Sequence, residues 1–397
     1  MRRKVITASA LAIGALCAWV AAPALSLHPY QPAAIDFEAP LPQPERAVPT
    51  ALASGHEEAE HEHPAARWIT PPFSAPHRFD LVGVAGELRE LEIRVRDDGG
   101  SWTEWVTQVD ATPIWVDGAD EVQVRAPFRP RGTLHFVNVS GEDRGTVADL
   151  LNDARAGVNS AFVAVANRFV AEAEAPKPKL VTRGKWGAND DRGGCRPRGP
   201  AEYGTVRSAV IHHTVNANDY SKSEAAGIVL GICRFHVNGN GWNDIGYQAL
   251  VDRFGRVYKG RAGGMPAAVV GAQAQGFNDQ TTAIASIGTN SSVKLSRKAR
   301  VATGKYVAWK LGVHGIDPAS TTQLVSGGGS LNRHPKNAVI TVPRVIGHRD
   351  LGLTECPGDR LYAQVRSIRK AVKKRARRFT PRAREPGAEA ADYPGAR

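Results

Sequence analysis

Two textures share this chain, and the change from one to the other limits the fold more than any single motif. From Trp68 to about Val139, apolar residues recur at every second position, in "ELEIRVRD", "WTEWVTQV", "PIWVDG", "DEVQVRAP" and "TLHFVNV". That period marks strands with one face buried, and the Asp-Gly and Gly-Gly steps between them make turns. Residues 68–140 therefore predict an all-β, sandwich-like module. Trp102, Trp105 and Trp115 read first as its core and second as a sugar-binding face.

From Leu180 the texture becomes α/β. "VRSAVIHHT" is a buried-strand run. Ser221 and Glu224 form a capping box that opens a helix through "EAAGIVLGICRFHVN", ended by Gly239. "YQALVDRFGRVYKGR" predicts two strands with a tight turn at Phe254-Gly255, and "TTAIASIGT" another strand. "SRKARVATGKYVAWKLGVHG" and "DRLYAQVRSIRKAVKKRARR" predict helices, and "VPRVIGHRD" a strand running into a loop. Alternation of this kind predicts a central sheet flanked by helices.

The flanks read differently. Arg2, Arg3 and Lys4 precede an apolar run and small residues at Ala22 and Ala24, the pattern of a secretory signal over 1–26. An uncleaved anchor helix is the alternative, because the run is nearly long enough to span a bilayer. Residues 27–67 read as an acidic, Pro-rich linker, and His56, His61 and His63 within it as solvated rather than metal-binding. Residues 141–178 read as an Ala-rich connector, and 366–397 as a basic helix fading into a disordered tail. The chain of 397 residues carries a net charge of +12. For an exported protein that charge points to the anionic polymers of a cell envelope and away from nucleic acid. No integral span is expected after signal removal.

Export also constrains the cysteines. Cys17 leaves with the signal, so Cys195, Cys233 and Cys356 remain, an odd number in an oxidising compartment. Two arrangements are open. Cys195 can pair with Cys233, leaving Cys356 to join His212 or His213 and His348 as a metal set with an open fourth position, the catalytic zinc pattern. Alternatively Cys356 pairs with one of the others and His348 is a loop histidine. Spacing does not choose between them, because no CxxC or HExxH signature is present.

A resemblance adds to this. "TRGKWGAND", "VIHHT", "WNDIGYQALVDRFGRVYKGR", "GAQAQGFN" and "GHRDLGLTECPGD" come in the order of the zinc-dependent N-acetylmuramoyl-L-alanine amidase type 2 and peptidoglycan recognition protein family. The likeness covers roughly residues 179–365, and the β region only looks like the accessory region of long bacterial members. It implies an exported hydrolase of the amide between the lactyl group of N-acetylmuramic acid and L-Ala of the stem peptide, or a binding protein for the same polymer. It maps zinc ligation to His212, His348 and Cys356, and catalytic support to Tyr247 and Thr354. It makes His213 a packing or hydrogen-bonding neighbour at the groove, with Arg261 and Asn278 as substrate contacts. Catalytic members keep the cysteine that binding-only relatives commonly lose. Gln273 departs from the pattern, since many relatives carry histidine there.

Overall fold

The computed structural model describes residues 34–47, 67–86, 91–108, 112–140, 177–191 and 193–376. The expected signal, the histidine-bearing tract, nearly all of the 141–178 connector and the terminal tail lie outside the described residues.

Eight strands make one connected antiparallel sheet among the N-terminal described residues. They are β1 Ile35–Pro40, β2 Glu45–Ala47, β3 Arg67–Ile69, β4 Phe73–Ala85, β5 Leu91–Arg96, β6 Val106–Gln108, β7 Ile114–Ala126 and β8 Thr133–Asn138. The order is β1-β8-β4-β7-β3-β2, with β5 also on β7 and β6 on β5. The strands are joined by hydrogen bonds into one sheet, and Phe79, Val82, Val84, Ile93, Leu134 and Phe136 cluster as its core. β1 and β2 fall within 27–67, which corrects the linker expected there. β1 alternates Ile35, Phe37 and Ala39 with Asp36 and Glu38, and Phe37 stacks on Phe136 with ring centroids 4.8 Å apart. Proline and acid content masked that alternation.

The second half is an α/β layer. Its strands are β9 Leu180–Val181, β10 Ser208–His213, β11 Ala249–Val251, β12 Val257–Lys259, β13 Thr281–Ser286 and, after a hairpin of β14 Thr321–Val325 and β15 Val339–Pro343, β16 Val345–Gly347. The six-stranded sheet runs β16-β10-β13-β11-β12-β9. β16, β10, β13 and β11 are mutually parallel, and β12 returns antiparallel on β11 through a turn in which Gly255 takes φ +86. The β14–β15 hairpin has no counterpart in the sequence reading.

Helix α1, Glu224–Arg234, packs on one face of this sheet. Its capping box forms as expected: Ser221 N–H donates to Glu224 Oε2 at 2.7 Å, and Glu224 N–H to Ser221 Oγ at 3.3 Å. The helix continues as a π turn to Gly239. Helices α2, Arg297–Val313, and α3, Asp359–Ala376, pack on the opposite face. α3 buries Leu361, Val365, Ile368 and Val372 along one stripe, so the boundary expected at 365 cuts a continuous docked helix. Among the described residues no helix is long and apolar enough to cross a membrane.

The two sheets share one core through α1. On β4 and β8, side chains alternate faces. Val82, Val84, Leu134 and Phe136 face the β core, while Leu81 and Val137 join Trp115, Ile232 and Phe235 beside α1. Asp36 accepts from Arg234 Nε at 2.8 Å across the same contact.

Candidate metal centre

The site forms where parallel strands end. All six residues of β10 are buried, and the strand stops at His212 and His213. β16 lies beside it, and its continuation is a short 3-10 turn, His348–Asp350. Asp350 Oδ2 accepts from Gly347 N–H at 2.9 Å and closes that turn. The loop then brings Cys356 back, where Arg349 N–H donates to the Cys356 carbonyl at 2.8 Å.

One ligand atom from each of His212, His348 and Cys356 lies within 4.8 Å of the others, and all three residues are buried. Cys195 and Cys233 form the disulfide, which removes the alternative pairing and leaves Cys356 outside it, buried beside the histidines.

The donors fit zinc. A tetrahedral ion with Zn–N about 2.1 Å and Zn–S about 2.3 Å separates a nitrogen and a sulfur ligand by about 3.6 Å. His212 Nδ1 and Cys356 Sγ are 3.6 Å apart. A second feature fixes which nitrogen is offered. His212 Nε2 lies 2.6 Å from Gln273 Oε1, while Gln273 Nε2 donates to Thr281 Oγ1 at 2.8 Å and that hydroxyl donates to the Phe277 carbonyl at 2.8 Å. Followed from the Phe277 carbonyl, these bonds make Gln273 Oε1 an acceptor. His212 Nε2 then carries the proton, and the Nδ1 lone pair faces the thiol. Gln273, which the sequence marked only as a departure, therefore fixes the orientation of His212.

Electrostatics agree with a neutral histidine set. Burial, then the neighbouring His348 and His213, holds His212 well below its usual range against the opposing pull of Gln273. Burial lowers His348 to about 4. It lowers His213 to about 3, with His348 and Arg349 adding to the shift. The imidazoles of His212 and His348 are thus neutral at neutral pH, as ligation of a metal would require.

A cavity of about 270 Å³ opens over this group, lined also by Tyr247, Trp242, Asn278 and Leu331. The Tyr247 ring lies 5.3 Å from that of His212. His213 lines the cavity too, although strand alternation predicted that only one of the pair would; its backbone N–H points at Cys356 Sγ, 3.4 Å away. Asn278 lines it while its Oδ1 accepts from the N–H groups of Gln273 and Ala274, both at 2.8 Å. Two expected residues stand apart from the lining. Thr354 Oγ1 accepts from Cys356 N–H at 3.1 Å, so it shapes the ligand loop. Arg261 donates to the carbonyls of Asp244 and Ile245, each at 3.2 Å, because burial turns its guanidinium onto the backbone. Thr112, just before β7, lines the cavity and was not expected there.

A family model described as N-acetylmuramoyl-L-alanine amidase matches residues 202–359. Peptidoglycan-recognition protein SC2 of Drosophila simulans is 30% identical over 211 residues, which are 53% of this chain and 96% of that protein. Peptidoglycan-recognition protein LB of Drosophila melanogaster is 29% identical over 190 residues, 48% of this chain and 68% of that protein. Among solved structures, wild-type Drosophila PGRP-LB is 28% identical over 48% of this chain and 93% of that one, with a TM-score of 0.37.

Proposed function

This chain belongs to the N-acetylmuramoyl-L-alanine amidase and peptidoglycan-recognition family, and on that premise we propose that it is an exported zinc hydrolase. Its substrate is the amide between the lactyl group of N-acetylmuramic acid and L-Ala of peptidoglycan. The observation that carries this reading is the group formed by His212, His348 and Cys356 beneath a cavity that Tyr247 lines. The disulfide supports an oxidising compartment outside the cytoplasm.

His212, His348 and Cys356 would hold the zinc ion, which when bound would supply Lewis acidity for the scissile carbonyl and for a water. The chain does the rest. Gln273 holds His212 in the tautomer that offers Nδ1. Burial keeps His348 neutral, and the His213 N–H and Thr354 hydroxyl fix the Cys356 loop. The Tyr247 phenol would donate to the carbonyl oxygen as it gains negative charge, a role that its position on the cavity wall supports. His213 and Asn278 shape the groove around the reacting amide. Arg366, Lys370 and Lys374 form an exposed stripe on α3, suited to the anionic polymers that accompany peptidoglycan.

Digestion of purified peptidoglycan, with and without chelator and beside Cys356→Ser, tests the assignment. Mass spectrometry should find stem peptides with a free L-Ala amine, lost with chelator and in the variant. Retention of the protein on the polymer without any released amine makes it a recognition protein instead.

A further inference from the structure

The β14–β15 hairpin carries a loop, residues 326–338, back to the candidate metal centre. Hydrogen bonds hold it there from two sides. Leu331 N–H donates to Gln275 Oε1 at 2.7 Å, and Asn332 Nδ2 to the Gln275 carbonyl at 2.9 Å. On the other side, Leu353 N–H donates to the Leu331 carbonyl at 2.9 Å, and Arg333 N–H to the Leu351 carbonyl at 3.0 Å. Gly276 permits the approach. It takes φ +80, and a Cβ there would lie 2.6 Å from the Gly328 carbonyl oxygen.

Leu331 is thus gripped by its own N–H and C=O between two parts of the site. One is the segment that carries Gln273 and Asn278; the other is the loop that joins His348 to Cys356. Gly352 shows how near Leu331 stands to the candidate ligands. A Cβ on Gly352 would lie 3.1 Å from His348 Nε2 and 3.3 Å from the Leu331 carbonyl oxygen, so a single methyl group would touch both.

The half-buried Leu331 side chain lines the cavity of about 270 Å³. It is the largest aliphatic group of that wall, beside Val215, Ala272 and Ala274. Among the described residues, the lining holds no lysine, arginine, aspartate or glutamate. This wall therefore reads apolar shape close to the reacting atoms, not charge. In the proposed substrate two groups meet that description. The lactyl methyl sits on the carbon beside the scissile carbonyl, and the L-Ala methyl on the carbon beside the scissile nitrogen.

We propose that Leu331 is a specificity-determining residue, a fixed apolar wall that selects substrates with a methyl group on a carbon next to the scissile amide. What is cleaved rests on the proposed function. Anchoring on both sides gives the wall its selectivity. A side chain whose main chain is held cannot collapse into the space that a missing methyl leaves.

Three probes test this: N-acetylmuramyl-L-alanyl-D-isoglutamine, its glycyl analogue without the alanine methyl, and its glycolyl analogue without the lactyl methyl. The readout is kcat/KM for the parent divided by that for each analogue. The wild type should favour the parent over at least one analogue by about fourfold, the worth of one buried methylene. The analogue that loses identifies the methyl. Leu331→Ala should bring that ratio close to one, and Leu331→Met, of similar volume, should restore it. Each ratio is internal to one protein, so partial unfolding or a generally weakened metal centre lowers all probes alike and leaves it unmoved. No preference in the wild type, or a preference unchanged in Leu331→Ala, overturns the assignment. If the wild type releases no amine from any probe, the amidase reading falls. The same ratios, read as dissociation constants by calorimetry, then decide on Leu331.

Discussion

At the scale of single residues, Gln273 decides how His212 is presented. Its amide oxygen is 2.6 Å from His212 Nε2, and its amide nitrogen is anchored on Thr281. Partners of this kind typically govern 10–100-fold in metal affinity. Gln273→Ala should therefore weaken zinc binding by about 10–100-fold in competition with a chelator, with little change in the stability of the metal-free fold. Gln273→Glu, which keeps an acceptor, should restore most of it. Wild-type affinity in the alanine variant would remove Gln273 from the metal centre.

Among the elements, α1 is the one both sheets depend on. Gly83 sits on β4 under Phe235, which follows α1; a Cβ there would lie 2.7 Å from Phe235 Cζ and 2.9 Å from Cε2. No real Cβ tolerates that, so one of the two must move. Gly83→Ala should destabilise by about 1–3 kcal/mol, the usual cost of overpacking. Phe235→Leu should offset part of that loss in a double-mutant cycle read by urea denaturation. Strict additivity would mean that β4 and α1 do not press on one another. Lys310 of α2 shows the same economy on the other face, donating to the carbonyls of Met265 and Ala267 at 2.7 and 2.6 Å. Burial there lowers its pKa to about 8.

Across the whole molecule, several buried imidazoles share one response to pH. Burial is the first cause that lowers His213 and His236 to about 3 and His348 to about 4, and it holds His212 well below its usual range. An unfolded histidine takes up a proton near pH 6.5, and the folded ones refuse it until the pH falls much further. The unfolded state then binds more protons, so stability falls as the pH drops below about 6.5. Each tenfold difference in proton affinity between the two states is worth about 1.4 kcal/mol. The urea midpoint of the metal-free protein should decline as the pH falls from about 6.5 to 5, above the range where carboxylates titrate. A level midpoint through that window would mean that these rings are open to solvent protons.

Local pattern alone determined much of this protein. Period-two runs predicted β5 to β8 of the N-terminal half, and the Ser221–Glu224 box opened α1 as its spacing required. The resemblance supplied the residues that meet in the His212, His348 and Cys356 group, because a candidate ligand set is a short list of chemically distinctive side chains. Tertiary structure decided what depends on distance between remote segments. It chose the Cys195–Cys233 pairing over the alternatives that odd cysteine arithmetic left open. It turned Arg261 onto the backbone and Thr354 onto the Cys356 loop. It joined the two halves into one core, where the sequence suggested a separate module. The sign of that joining was present on β4 and β8, where the face turned away from the β core carries Leu81, Gly83 and Val137 beside a single buried histidine, His135. Alternation tells a reader which side chains share a face, but what covers that face is settled only when a distant helix docks on it.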